Sequence, residues 1–253
     1  IPDFGDTSKE DWKTNRRGIE ALSPDFVLPP FENVQADSDG AKVWNRRYDL
    51  DGSGLLSKVL IGNESFFSRP MSMDMIVNGQ KVSFRPATSK LLSDNKGRAV
   101  FERTMTSSDL DLKTVTTIEF DGMVRVDMTL IPKKKLSLDH FSYAFHLPRK
   151  NALFTHFIGA PNSHISIMIP KESFSMPVPK ENGEFFREPF KSLVWFGNHD
   201  KGFLWFCGSE RNWSPQDQSL RPSALTASAT DKEVSFQTVP VSAPYVIQSP
   251  VTY

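Results

Sequence analysis

The chain has 253 residues, 30 Lys plus Arg against 30 Asp plus Glu, and 38% hydrophobic residues. This is an ordinary globular composition, and zero net charge argues against a nucleic-acid binder, which carries a basic excess on at least one face. A single cysteine, Cys207, excludes an internal disulfide and any multi-cysteine metal site, and no apolar run approaches the length of a membrane span.

The opening differs from the rest. Thr7-Ser8-Lys9-Glu10 has capping-box spacing and predicts a short helix over residues 8–13. Pro24, Pro29 and Pro30 then impose an extended path. Residues 1–42 are therefore expected to form an arm that buries Trp12, Phe26 and Phe31 against a second unit, residues 43–253.

From residue 43 the chain reads as strand after strand. Residues 43–50 and 55–61 flank an Asp51-Gly52-Ser53-Gly54 turn. Met71, Met73, Met75 and Val77 alternate with polar or smaller residues. Asn78-Gly79 links them to residues 81–84, a hairpin signal because both turn residues tolerate positive φ. Asp121-Gly122 repeats the device between residues 115–120 and 123–131. Lys133-Lys134-Lys135, just beyond, reads as a solvated turn. In residues 138–147, Phe141, Tyr143, Phe145 and Leu147 share one face, and His140, Ser142, Ala144 and His146 share the other.

Shorter strand candidates follow at residues 153–158 and 165–169. A proline-bearing loop over residues 170–190 holds a strand at Phe185-Phe186. Residues 193–196 and 203–207 are dense in aromatics and flank Gly197-Asn198-His199-Asp200-Lys201-Gly202, which predicts a central hairpin. Residues 234–239 and 245–248 read as closing strands. Without a fixed-period repeat, the pattern predicts an all-β fold, a large two-sheet antiparallel β-sandwich, with a closed barrel as the alternative.

Chemistry is harder to place. Asp49, Asp51, Ser53 and Gly54 copy half of a calcium loop, but Leu60 stands where the bidentate Glu belongs. The segment reads as an ordinary turn, with no metal site. His140 and His146 lie roughly 20 Å apart along one strand, too far to share an ion. His156 and His164 could oppose each other across a turn, without a carboxylate beside them. No fingerprint for acyl, phosphoryl or hydride transfer is present, and no cofactor is implied. The best sugar-handling cluster lies around the aromatic hairpin: Glu210 and His199 as acid/base candidates, with Trp213, Arg211 and Asp200 as ligand contacts. The structural reading of the same residues is a core hairpin, since a buried Trp supplies a large apolar area.

The combination of Phe4-Gly5-Asp6, Val43-Trp44-Asn45-Arg46-Arg47-Tyr48, Val194-Trp195-Phe196-Gly197-Asn198-His199-Asp200-Lys201-Gly202 and Ser209-Glu210-Arg211-Asn212-Trp213 resembles a bacterial family. Its members are large glycoside-hydrolase-like proteins of unassigned function. In them a β-sandwich region, similar to the galactose-mutarotase-like supersandwich, precedes a TIM-barrel domain. The resemblance implies an exported, extracellular or periplasmic, non-catalytic carbohydrate-associated module. Its partners would be carbohydrate or a neighbouring TIM-barrel domain. It carries no catalytic residue onto this chain. The competing expectation is a sugar-active epimerase, lyase or hydrolase on the same fold, with Glu210 as general base, His199 or His156 as acid and Arg211 positioning the substrate.

Overall fold

The structure is a computed structural model and describes residues 25–158 and 173–253. The expected helix at residues 8–13, Trp12, His164 and the strand at 165–169 lie outside the described residues. Among the described residues there is no α-helix, and 21 strands pair into four antiparallel sheets in a sandwich-like arrangement.

Two of the sheets face each other in one half of the molecule. The first contains β1 (Gln35–Ala36), β2 (Gly40–Val43), β3 (Arg46–Leu50), β4 (Leu56–Ile61) and β5 (Glu64–Ser65). The second runs β21 (Val251–Thr252), β11 (Val124–Pro132), β10 (Leu110–Glu119), β9 (Arg98–Thr106) and β8 (Arg85–Asp94). Strict alternation builds this pairing. Along β10, Leu110, Leu112, Thr114, Thr116 and Ile118 are buried and every intervening residue is half-buried. Polar groups then clamp the layers. Thr116 Oγ1 donates to the Gly54 carbonyl at 2.7 Å, and Tyr48 donates to the Gly122 carbonyl at 3.0 Å. Buried Arg103 donates to the Leu50, Asp51 and Ser38 carbonyls.

The other half stacks a seven-stranded sheet on a four-stranded one. The larger sheet holds β15 (Gly183–Glu188), β18 (Leu225–Ala229), β19 (Glu233–Val241), β12 (Leu136–Pro148), β6 (Ser72–Val77) and β7 (Gln80–Lys81), with β20 (Tyr245–Ile247) also paired to β12. The smaller holds β14 (Ser173–Pro177), β13 (Phe154–Ile158), β16 (Leu193–Gly197) and β17 (Gly202–Phe206). Phe236, fully buried, is the hub between them. Its ring lies 5.3 Å from Phe196, 5.7 Å from Trp205, 6.1 Å from Phe145 and 6.4 Å from Phe186. Aromatic pairs at such spacings add about 0.5–1.5 kcal/mol each beyond their area burial.

The thirteen-residue β12 carries a one-residue bulge. Leu138 opposes Val77 and His140 opposes Ile76, so Asp139 is the extra residue. Before the bulge the even-numbered Leu136 and Leu138 face the core; after it the odd-numbered Phe141, Phe145 and Leu147 do. Asp139 is fixed by accepting from the Gly79 amide at 2.6 Å and from Ser137 Oγ. The Asn78-Gly79 turn behaves as expected, with φ of 49° and 76°.

Three sequence expectations change. The aromatic hairpin is not central: β17 is the outermost strand of its sheet, with Leu204 and Phe206 exposed. Strand β1 lies before residue 43, and β2 starts before it, at Gly40. Of the expected anchors, Phe31 packs edge-on against Trp44 and Phe120, whereas Phe26 is exposed. Several strands, among them β8, β9 and β18, were not anticipated. Nearly every residue of β8 is exposed on both faces, so no alternation marks it; Pro86, Lys90 and two register shifts guard its free edge.

Candidate functional site

The hairpin β16–β17 separates its side chains into two classes. Val194, Phe196 and Trp205 point into the core. On the opposite face Trp195 pairs with Leu204, Leu193 with Phe206, and Gly197 with Gly202. The two glycines have a specific role. A Cβ on Gly197 would stand 2.1 Å from Trp195 Cζ2, and one on Gly202 would stand 2.2 Å from Trp195 Nε1. The indole thus occupies the space of two missing side chains and lies across the backbone of both strands. Trp195 is half-buried there, beside the exposed Leu204 and Phe206.

At the turn, Asn198 Oδ1 accepts from the Asp200 and Lys201 amides at 2.9 and 3.0 Å, and Asn198 Nδ2 donates to the Lys150 carbonyl. His199 and Asp200 are exposed at the tip. The His199 ring meets Phe154 edge-on at 5.1 Å, and Phe154 lies opposite Gly197. Lys201 Nζ donates to Glu64 at 2.6 Å, and this bond holds the Glu64 carboxyl below its usual range. His199 is therefore brought to the Trp195 face, with Asp200 next to it at the exposed tip.

Glu210, Arg211 and Trp213 lie at the other end of the hairpin. The five residues of β17, roughly 17 Å at strand rise, lie between the turn that carries His199 and the loop that carries Glu210. Glu210 accepts from Gln218 and from Arg221, which is almost fully buried. Trp213 is 2% exposed, with Phe190 edge-on at 5.1 Å and the Arg221 guanidinium 5.5 Å over its ring. Arg211 is exposed, and its amide donates to Ser209 Oγ. Cys207 is pushed above the ordinary thiol range by burial, so it is a poor nucleophile.

Asp51 Oδ1 accepts from the Ser53 amide at 2.8 Å and from Ser53 Oγ at 2.5 Å, which makes the calcium-like segment an Asx turn. His140 Nε2 pairs with Ser142 Oγ, and His156 lies opposite Trp195.

A second polar cluster escaped the sequence. On the outward face of the seven-stranded sheet, buried His146 holds Ser72 Oγ at 2.9 Å through Nε2 and Ser235 Oγ at 3.0 Å through Nδ1. Ser235 donates to Glu233 Oε1 at 3.0 Å, and that oxygen lies 3.5 Å from Nδ1. Arg69 and Ser68 also donate to Glu233. Burial and the Arg69 charge, opposed by Glu233, hold His146 below the ordinary histidine range. For Glu233, burial acts upward, but the bonds from Arg69, Ser68 and Ser235 together win and its carboxyl lies below the usual range. The partners of His146 are 74 and 89 residues away in sequence, so only strand register brings them together.

Residues 34–205, more than half of the chain, match the model of the glycoside hydrolase 123 third domain. The chain belongs to that domain family. No curated protein matches it. Among solved structures it is similar to a putative aldose 1-epimerase from Escherichia coli K12, with 5% identity over 87% of this chain and 96% of that one and a TM-score of 0.47. It is also similar to the Slr1438 protein from Synechocystis sp. PCC 6803, with 10% identity over 91% and 96% and a TM-score of 0.41. Both similarities are too distant to carry an activity across. Membership of the glycoside hydrolase 123 third-domain family bears out the resemblance to a glycoside-hydrolase-like β-sandwich region. Among the described residues no helix is long and apolar enough to cross a membrane.

Proposed function

We propose that this chain is a carbohydrate-associated module of a glycoside-hydrolase-like protein, working outside the cytoplasm and contributing no acid/base pair to glycosidic cleavage. The observation that carries this is the Trp195 indole laid over Gly197 and Gly202 at the sheet surface. A flat aromatic plane suits the apolar C–H face of a pyranose ring. His199 and Asp200, at the tip of the same hairpin, supply polar groups for the sugar hydroxyls. The alternative acid/base enzyme loses support from the distance between His199 and Glu210 and from the commitment of Glu210 to Arg221. Exposed Leu204 and Phe206 favour a second reading, in which the same face docks a neighbouring domain such as a TIM barrel.

Affinity electrophoresis in gels cast with a panel of polysaccharides tests the first reading. At least one glycan should retard the protein, and Trp195→Ala should weaken that binding about tenfold or more. Asp200→Asn should weaken it less. If no glycan retards the wild type, the sugar reading fails. If Trp195→Ala binds like wild type, the contact lies elsewhere.

A further inference from the structure

The cluster on the seven-stranded sheet lies away from the hairpin and has a chemistry of its own. Its hydrogen bonds run in one direction. Ser235 Oγ donates to Glu233, so its lone pairs face His146 Nδ1, which carries the ring proton and donates at 3.0 Å. That tautomer leaves Nε2 bare and accepting, 2.9 Å from the hydroxyl of Ser72. Ser72 is exposed on β6, while the imidazole behind it is 3% exposed. A hydroxyl that meets solvent is thus backed by a neutral, buried base, and a carboxylate kept ionised by Arg69 stands behind that base. A nucleophile, a base within hydrogen-bond reach and a third group orienting the base are the parts of an activated serine.

We infer that Ser72 is an activated nucleophile, with His146 as its general base and Ser235 and Glu233 as positioning residues, fitted to the hydrolysis of small carboxylic esters. Ser72 Oγ bonds to the ester carbonyl carbon as its proton passes to His146 Nε2. The alkoxide then leaves and takes that proton, which completes the acyl-enzyme. Water attacks the acyl carbon, gives its proton to Nε2, and the proton returns to Ser72 as the carboxylic acid departs. The net reaction is ester plus water to acid plus alcohol. Glu233, through Ser235, stabilises the imidazolium that forms in each half. Arg69 bonds Glu233 through Nε and Nη2 and is itself 52% exposed, placing a positive charge at the edge of the cluster.

The test is labelling of the intact chain with a fluorophosphonate probe, read by peptide mass mapping, together with hydrolysis of p-nitrophenyl acetate. One adduct is expected, on Ser72, and Ser72→Ala should lose both the adduct and the hydrolysis. His146→Gln should slow labelling about 100-fold or more. Because His146 is buried, its loss could unfold the chain, so Ser235→Ala provides the second arm. With the ring retained, labelling should slow and its pH midpoint should shift. Absence of an adduct on Ser72 while a control serine hydrolase labels fully overturns the inference. Equal labelling rates in Ser235→Ala and wild type do so as well.

Discussion

Two carboxylates, Glu210 and Glu233, each meet an arginine, and the environments are opposite. Glu210 faces Arg221, whose side chain is 1% exposed and whose Nε and Nη1 have no hydrogen-bond partner. Glu233 faces Arg69, which is half in solvent, and shares its oxygens with Ser68 and Ser235. The first pair braces a buried cation at the foot of the hairpin. The second is a saturated network with one end open to water. An acid beside an aromatic cluster, the pattern that singles out Glu210 in the sequence, marks the structural pair. The chemically suggestive one is put together across three strands, so its local sequence does not flag it.

The sharpest way to break this contrast is Glu210→Ala. It leaves Arg221 buried without its counter-charge and should cost about 3 kcal/mol, a fall in Tm of roughly 6–12 °C. Denaturant melts measure it, and an unchanged midpoint would show that Arg221 is compensated elsewhere.

The next effect is on pH. His146 binds its proton less readily folded than unfolded, so the unfolded chain takes up more protons once the pH falls below the unperturbed value of 6.5. Stability from this group is full above that value and declines as pH falls toward the lowered folded value, by at most about 1.4 kcal/mol per pH unit. Melts between pH 7.5 and 5.5 should show the decline. The same melts on His146→Gln should lack it.

The smallest effect is expected for Arg69→Ala. With one partner half exposed, the loss should stay under about 1 kcal/mol in chemical denaturation. A loss as large as that for Glu210→Ala would erase the distinction between the two pairs.

Much of the fold was legible because alternation and turn chemistry are local. The Asn78-Gly79 hairpin, the face of β12 that carries Phe141, Phe145 and Leu147, and the β16–β17 pair all follow from neighbours in sequence. Strand β8 was invisible because it buries neither face. At the hairpin, aromatic density revealed the strands but not which ring each face would take. Trp213 went to the core and Trp195 to the surface, and the only local hint was the Gly197 and Gly202 pair beside Trp195. The His146 cluster was illegible for another reason. Ser72, His146 and Ser235 are neighbours through the pairing of β6, β12 and β19, and single-sequence periodicity carries no information about which strands adjoin.

The extra residue in β12 has a consequence for how this gene can change. Because Asp139 is the one unpaired residue, losing that codon would leave Leu138 and Phe141 two positions apart and both still facing the core. Losing a regularly paired residue such as Ser142 would instead swing Phe145 and Leu147 outward and drive His146 in among the phenylalanines. Substitutions along this strand can be absorbed one at a time, whereas a single in-frame deletion anywhere but the bulge exchanges inside for outside along one side of the gap.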